Sequence, residues 1–200
     1  MIIAHESRIQ RDVARILSHV HGAPAQRTQP ALLVLTGLPA SGKSFVAAEL
    51  RARTDAVIFE SDALRRVLFS EQTYSAAENR RLFAAVHAAI ERLLQGGTSA
   101  IVDATNLTER QRQPLYDVAQ RSHARLILAA VTAPDAVAHE RLASRQGSSS
   151  GRPRAGRAVY DQMRERAERI ERPHYVVDTA KDTGPVLAAI AKEMTEPCRE

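Results

Sequence analysis

The sequence predicts an α/β fold of three layers, in which a mostly parallel, five-stranded sheet lies between helices. Three observations predict it. From residue 31 onward, five short apolar runs alternate with stretches of helical periodicity, the order expected of βαβ units. The runs are continuously apolar instead of alternating, as in parallel strands buried on both faces. A glycine-rich turn follows the first run and opens a helix, at the strand end where open α/β sheets bind their ligands.

The elements follow in order. Ile9, Val13, Ile16, Leu17 and Val20 recur at helical spacing and predict an amphipathic helix over about 2–20. The stretch 22–30 is polar, carries Pro24 and Pro30, and reads as a linker. Strands are expected at 31–36, 56–59, 99–102, 126–131 and 175–177. Between and after them, helices are expected at about 43–53, 62–69, 75–95, 108–121, 134–145, 156–171 and 184–195. The helix at 75–95 places Leu82, Val86, Ile90, Leu93 and Leu94 on one face and stops at Gln95-Gly96-Gly97. Its start, Ser75 followed by Glu78, has the form of a capping box, and Tyr74 just before it could line an acceptor site. The Gly/Ser/Arg-rich stretch 146–156 breaks the rhythm and reads as a mobile connection.

Composition excludes several classes. With 44% apolar and 26% charged residues, the 200-residue chain is globular and long enough for one core of its own. A single cysteine, Cys198, excludes a disulfide framework and a Cys-based zinc finger. The seven histidines are scattered, so no zinc site is expected either. The N-terminus reaches a charge at His5-Glu6 and no apolar stretch approaches membrane-spanning length, so a cytoplasmic protein without a membrane anchor is expected. The charge is +5, from 28 basic and 23 acidic residues, but 25 of the basic residues are Arg and the chain also holds 34 Ala. Biased codon usage explains much of that excess, so basicity alone is a poor pointer to nucleic acid. The three lysines are Lys43, Lys181 and Lys192, which makes Lys43 conspicuous.

Gly37-Leu-Pro-Ala-Ser-Gly42-Lys43-Ser44 matches G-x-x-x-x-G-K-[ST] at every fixed position, between an expected strand and an expected helix. Small residues let backbone N–H groups curl around a phosphate, and the helix N-terminus adds positive potential. Lys43 would reach the β- and γ-phosphates and Ser44 would ligate Mg²⁺. The nucleotide-contacting set is therefore Gly37, Ala40, Ser41, Gly42, Lys43, Ser44 and Phe45, a site for a nucleoside triphosphate. Thr98–Asp103 is an apolar strand ending in an acid, suited to holding Mg²⁺ through Asp103 or to capping the next turn. Asp62, just past the second strand, would face the crevice, where a carboxylate can take the proton of an acceptor hydroxyl. An N-cap for the helix at 63–69 is an equally good reading of Asp62.

The order of this loop, Ser61-Asp62-x-x-Arg65, Val102-Asp103-Ala-Thr105-Asn106-Leu107 and an Arg-bearing helix resembles the phage-type polynucleotide 5′-hydroxyl kinases. More broadly it is similar to the small-kinase branch of P-loop proteins labelled AAA-family ATPases, which includes zeta-toxin and chloramphenicol phosphotransferase relatives. The resemblance covers roughly residues 31–190 and contains no counterpart of the phage enzyme's phosphatase domain. It implies a P-loop NTPase fold over 31–200 with a small lid at about 141–157, preceded by a helix and linker over 1–30. It implies an ATP- and Mg²⁺-dependent kinase acting on a hydroxyl, a nucleic acid 5′-OH first. The alternatives are a small-molecule acceptor, such as a sugar nucleotide or antibiotic, and an NTP-binding switch. With four Phe, four Tyr and no Trp, there is little material for a base-stacking groove. By the resemblance, Asp62 is the general base, Arg65 binds an acceptor phosphate or pairs with Asp103, and Asp103 orients Arg65 or the metal. Arg141 and Arg145 correspond to lid arginines that embrace the ATP phosphates, and Asp178-Thr179 to the loop near the base. Arg152, Arg154 and Arg157 lie beside them in the lid and suit either ATP phosphates or a polynucleotide backbone.

Overall fold

Five strands form, β1 (Ala31–Thr36), β2 (Val57–Glu60), β3 (Ala100–Asp103), β4 (Arg125–Thr132) and β5 (Tyr175–Asp178), in a computed structural model that describes residues 2–20, 29–146 and 156–196. They pair in the order β2-β3-β1-β4-β5, and every pairing is parallel. The helices are α1 (Ile2–His19), α2 (Lys43–Thr54), α3 (Ser61–Leu68), α4 (Ala76–Gln95), α5 (Glu109–Arg121), α6 (Asp135–Gln146), α7 (Arg157–Glu165) and α8 (Gly184–Thr195).

The central strand shows why the runs had to be continuously apolar. Successive side chains of a strand point to opposite faces. Leu32 and Val34 of β1 enter a core built with α1, α3, α4 and α5, while Leu33 and Leu35 enter a second core built with α2 and α8. All four are fully buried. Helices therefore cover both faces, and three layers result.

Helix α1 shares the first core: Val13 and Ile16 are buried in it, against α3 and α4. Asp12, 2% exposed, accepts two hydrogen bonds from Arg81 of α4, at 2.7 and 2.8 Å. Arg15 donates to the carbonyls of Val67 and Leu68, which the end of α3 leaves without helical partners.

Two local expectations change. The helix expected over 156–171 stops at Glu165, because tertiary bonds capture the chain beyond it. There Glu168 N donates to Leu107 O at 2.9 Å, Glu168 accepts from Glu109 N at 2.6 Å, and Ile170 is buried in the first core. Arg112, wholly buried, donates to Asn106 O and Arg169 O and ties that segment to α5. The capping box expected at Ser75 is half made: Ser75 accepts from Glu78 N, but the Glu78 carboxylate turns elsewhere. A complete box forms instead at Thr108 and Gln111.

Candidate active site

The loop after β1 is shaped for close backbone approach. Gly37 has φ +153°, and a Cβ there would stand 2.3 Å from Val131 O. Gly42, at φ +101°, would place a Cβ 2.8 Å from Thr179 Cγ2. Only glycine satisfies both demands at these positions. Gly42 leads into α2, whose first-turn N–H groups have no helical acceptors and point toward the crevice. Lys43 folds back over the loop and donates to Gly37 O at 3.0 Å and Leu38 O at 2.9 Å. The Ser41 hydroxyl is buried and, among the described residues, has no hydrogen-bond partner. A cradle of small residues with an orphaned buried hydroxyl and a lysine at its mouth fits a phosphate chain. Ala40 is buried at φ +61°, while Ser44 and Phe45 are exposed on the first turn of α2, Phe45 by 52%.

The loop is held from two sides. From β3, the segment after Asp103 crosses to the end of β1. Gly37 N donates to Thr105 O at 3.0 Å, Thr36 Oγ1 to Asn106 O at 2.9 Å, and Asn106 Nδ2 to Leu35 O at 2.8 Å. Asn106 is 4% exposed with φ +46°, a conformation Asn tolerates. The Thr-Asn pair of this element is thus the anchor that sets where the phosphate loop begins.

From the other side come α6 and α7. Leu38 and Ala40 pack with Ala138, Leu142 and Tyr160 in a small satellite core. Tyr160 donates to Asp135 Oδ1 at 3.0 Å, and Arg164 pairs with Asp135 at 2.6 Å. Arg141 donates to Ala40 O at 3.2 Å and Thr179 Oγ1 at 2.8 Å, and Thr179 in turn donates to Ser41 O at 2.7 Å. Arg141, expected on ATP phosphates, thus braces the phosphate loop against the chain after β5. Thr179 is the clasp in that brace. Asp178 is turned into its own loop, where Ala180 N and Lys181 hold its carboxyl below the usual range. Arg145 lies one turn beyond Arg141 on α6, but its side chain lies outside the described residues, as do Arg152 and Arg154. Arg157 opens α7 and is exposed.

The crevice floor is acidic. Asp103 is 5% exposed at the end of β3, and its Cα pairs in register with Glu60 at the end of β2. Glu60 is the N-cap of α3, so the capping position expected of Asp62 belongs to Glu60. Asp62 sits in the first turn of α3 instead, with its side chain exposed at the C-terminal edge of the sheet.

Arg65, expected to bind an acceptor phosphate or to pair with Asp103, meets two residues of α4. One turn after Asp62, it is 4% exposed; it ion-pairs with Glu78 and donates to Asn79 Oδ1 at 2.6 Å. Its inward direction follows from α3 burying Leu64, Arg65 and Leu68 together. Burial pushes the Glu78 carboxyl up, but bonds from Thr73 and Arg65 outweigh it and hold the pKa at about 2. Tyr74, at φ +52° and 43% exposed, lies on the Arg65 guanidinium at 4.5 Å. Its hydroxyl pKa is raised by partial burial and by the nearby Asp62 carboxylate. Glu78 was legible in the sequence only as a cap residue. No short-range pattern marks a partner thirteen positions from Arg65.

Residues 32–170 match a family model described as an AAA domain. No curated protein matches the chain. Among solved structures it is similar to Chaetomium thermophilum Kti12 in complex with ADP-AlF3, with a TM-score of 0.65 at 24% identity over 82% of this chain and 100% of that one. It is similar to a gluconokinase from Sinorhizobium meliloti, with a TM-score of 0.59 at 22% identity over 84% and 97%. A third is the Mycobacterium tuberculosis APS kinase CysC with AMPPNP and APS, with a TM-score of 0.59 at 15% identity over 84% and 99%. The likeness establishes a P-loop NTPase fold.

Proposed function

The chain belongs to the AAA domain family, and from that premise we propose that it is an ATP- and Mg²⁺-dependent kinase phosphorylating a hydroxyl, a nucleic acid 5′-OH first among acceptors. The observation that carries the reading is the exposed carboxylate of Asp62 across the crevice edge from a phosphate cradle closed by Lys43. A switch protein needs a positioned water, whereas an acceptor hydroxyl needs a base, and the exposure of Asp62 in the first turn of α3 supports that role. Residues 31–200 are read as the catalytic domain; the lid expected over about 141–157 falls largely on 147–155, outside the described residues.

Bound ATP with Mg²⁺ supplies the phosphoryl group and the charge neutralisation its transfer needs. The N–H groups opening α2 and the Lys43 ammonium hold the phosphates, and Ser41 gains a partner for its orphaned hydroxyl. Ser44 and Asp103 would hold the metal. A hard cation that keeps waters and phosphate ligands needs few protein donors. Asp62 takes the hydroxyl proton. By the family resemblance, Arg145 of α6 would meet the charge developing on the transferred group. Arg65 is a positioning residue that fixes Tyr74 beside Asp62.

A small-molecule acceptor is the second reading, favoured by the fold shared with a gluconokinase and an APS kinase and by the eight Phe and Tyr residues of the whole chain. Among the described residues no helix is long and apolar enough to cross a membrane. The test is transfer of labelled γ-phosphate to 5′-OH oligonucleotides and to a panel of hydroxyl metabolites. Asp62→Asn is expected to lower kcat by about 10²–10⁴ with little change in ATP binding. Hydrolysis of ATP without transfer to any acceptor, unaffected by Asp62→Asn, would overturn the kinase reading.

A further inference from the structure

A cavity of about 840 Å³ lies away from the phosphate loop, between α1, the turn after α3 and the start of α4. That volume is in the range of small-molecule sites. Ile9, Leu68 and Phe69 make it apolar, and Arg8 and Arg80 stand exposed at its rim. Its other charges are largely answered within the protein. Arg81 is held by Asp12 and lies 4.9 Å from the centre of the Phe69 ring, and Glu78 is paired with Arg65. Among the described lining residues, Arg8 and Arg80 then stand against the single remaining acid Glu71, a net positive balance. The cavity also touches the acceptor side of the crevice. Thr73 and Glu78 line it, and the same two residues support Tyr74 and Arg65 beside Asp62. From Asp62 to Phe69 is seven residues along α3, roughly 10 Å at about 1.5 Å per residue. Two of its walls, Arg8 and Ile9, belong to α1, outside the 32–170 family match, so the cavity depends on a part of the chain that the family model leaves out.

We propose, resting on the kinase reading, that this cavity receives the anionic tail of the acceptor. The molecule phosphorylated at Asp62 carries a phosphate group bound by Arg8 and Arg80, joined to its reacting hydroxyl by a portion that lies over the open side of Tyr74. Phosphate on such a tail has two sources, the backbone of a polynucleotide or the diphosphate of a nucleotide-linked sugar. In both, a phosphate lies across one sugar ring from the hydroxyl and a second phosphate lies farther out.

The test uses the full chain and reads binding separately from transfer. Fluorescence or calorimetric titration compares a 5′-OH trithymidylate with its neutral methylphosphonate analogue, and uridine diphosphate glucose with glucose. At least tenfold tighter binding of one charged probe over its neutral partner is expected, and the pair showing it identifies the source. Arg8→Ala with Arg80→Ala should abolish that preference. For the trithymidylate it should also flatten the slope of log K against log salt by about 0.7, the value for one phosphate neutralised on a single strand. Both residues are exposed, and an unchanged melting temperature confirms an intact fold. Equal binding within both pairs, no binding of any probe, or a preference that survives the double variant overturns the proposal. Preference without phosphoryl transfer to any acceptor removes the kinase reading and leaves the tail site standing. Transfer without preference does the reverse.

Discussion

The Arg65–Glu78 pair is where a single substitution should reveal most. Both side chains are 5% exposed. Glu78 also accepts from Thr73 N at 2.7 Å and Thr73 Oγ1 at 2.6 Å, while Arg65 keeps one further acceptor, Asn79. Arg65 Nε is already buried without a partner among the described residues. Glu78→Ala therefore strands a guanidinium that cannot reach water, at a cost of about 3–5 kcal/mol. In a domain of this size each kcal/mol lowers Tm by about 2–4 °C, so a fall of about 6–20 °C is expected. Denaturant titration of wild type and variant measures the free energy directly. The pH dependence is a second reading. The Glu78 carboxyl, held at about 2, stabilises the fold fully above its ordinary value near 4.5, and that stability is lost as pH falls toward 2. The variant should lack this loss. Arg65→Met with Glu78→Leu removes both charges and should recover most of the stability. A cost under about 1 kcal/mol for Glu78→Ala, or a double variant as unstable as the single, would refute the account.

Burial, with Arg121 nearby, pushes the His87 pKa down to about 4, so the folded state resists a proton that the unfolded chain takes up below about 6.5. Stability should fall between those values, by about 2 kcal/mol from pH 7.5 to 5 in denaturant titrations, and His87→Leu should remove that slope. Gly42→Ala meets Thr179 Cγ2 at 2.8 Å in a left-handed backbone. It should weaken nucleotide binding by at least about tenfold in calorimetric titration, with partial relief from Thr179→Ser, which removes that methyl. Asp12→Ala leaves Arg81 half-supported and loosens α1 from α4. A loss of about 2 kcal/mol is expected in thermal and chemical melts, because Arg81 can turn to water.

Much of the crevice was legible because its chemistry is local. Gly37 to Ser44 is eight consecutive residues, and the demands on them act within one turn of chain. Asp62 and Asp103 were legible because a parallel sheet delivers strand ends to one edge, so position along the chain implies position in space. The protein partners of Arg65 and Arg141 were not legible, for the opposite reason. Each is an arginine one helical turn from a site, and a sequence says which face of a helix is buried far better than what an arginine meets there. Glu78 and Asn79, thirteen and fourteen residues on, took Arg65; Thr179, thirty-eight residues on, took Arg141.

The sequence by itself determined the strand count, the helices that separate the strands, and the phosphate cradle, since periodicity and glycine stereochemistry are properties of neighbouring residues. Only the tertiary structure decided that all five strands run parallel, that α1 is built into the core, and that Thr105 and Asn106 tether the phosphate loop. It also decided that one basic residue of the crevice edge is locked in an ion pair while an acid beside it stays open. Those outcomes depend on which distant groups meet in a low-dielectric interior, where an unpaired charge costs more than a helix propensity can supply.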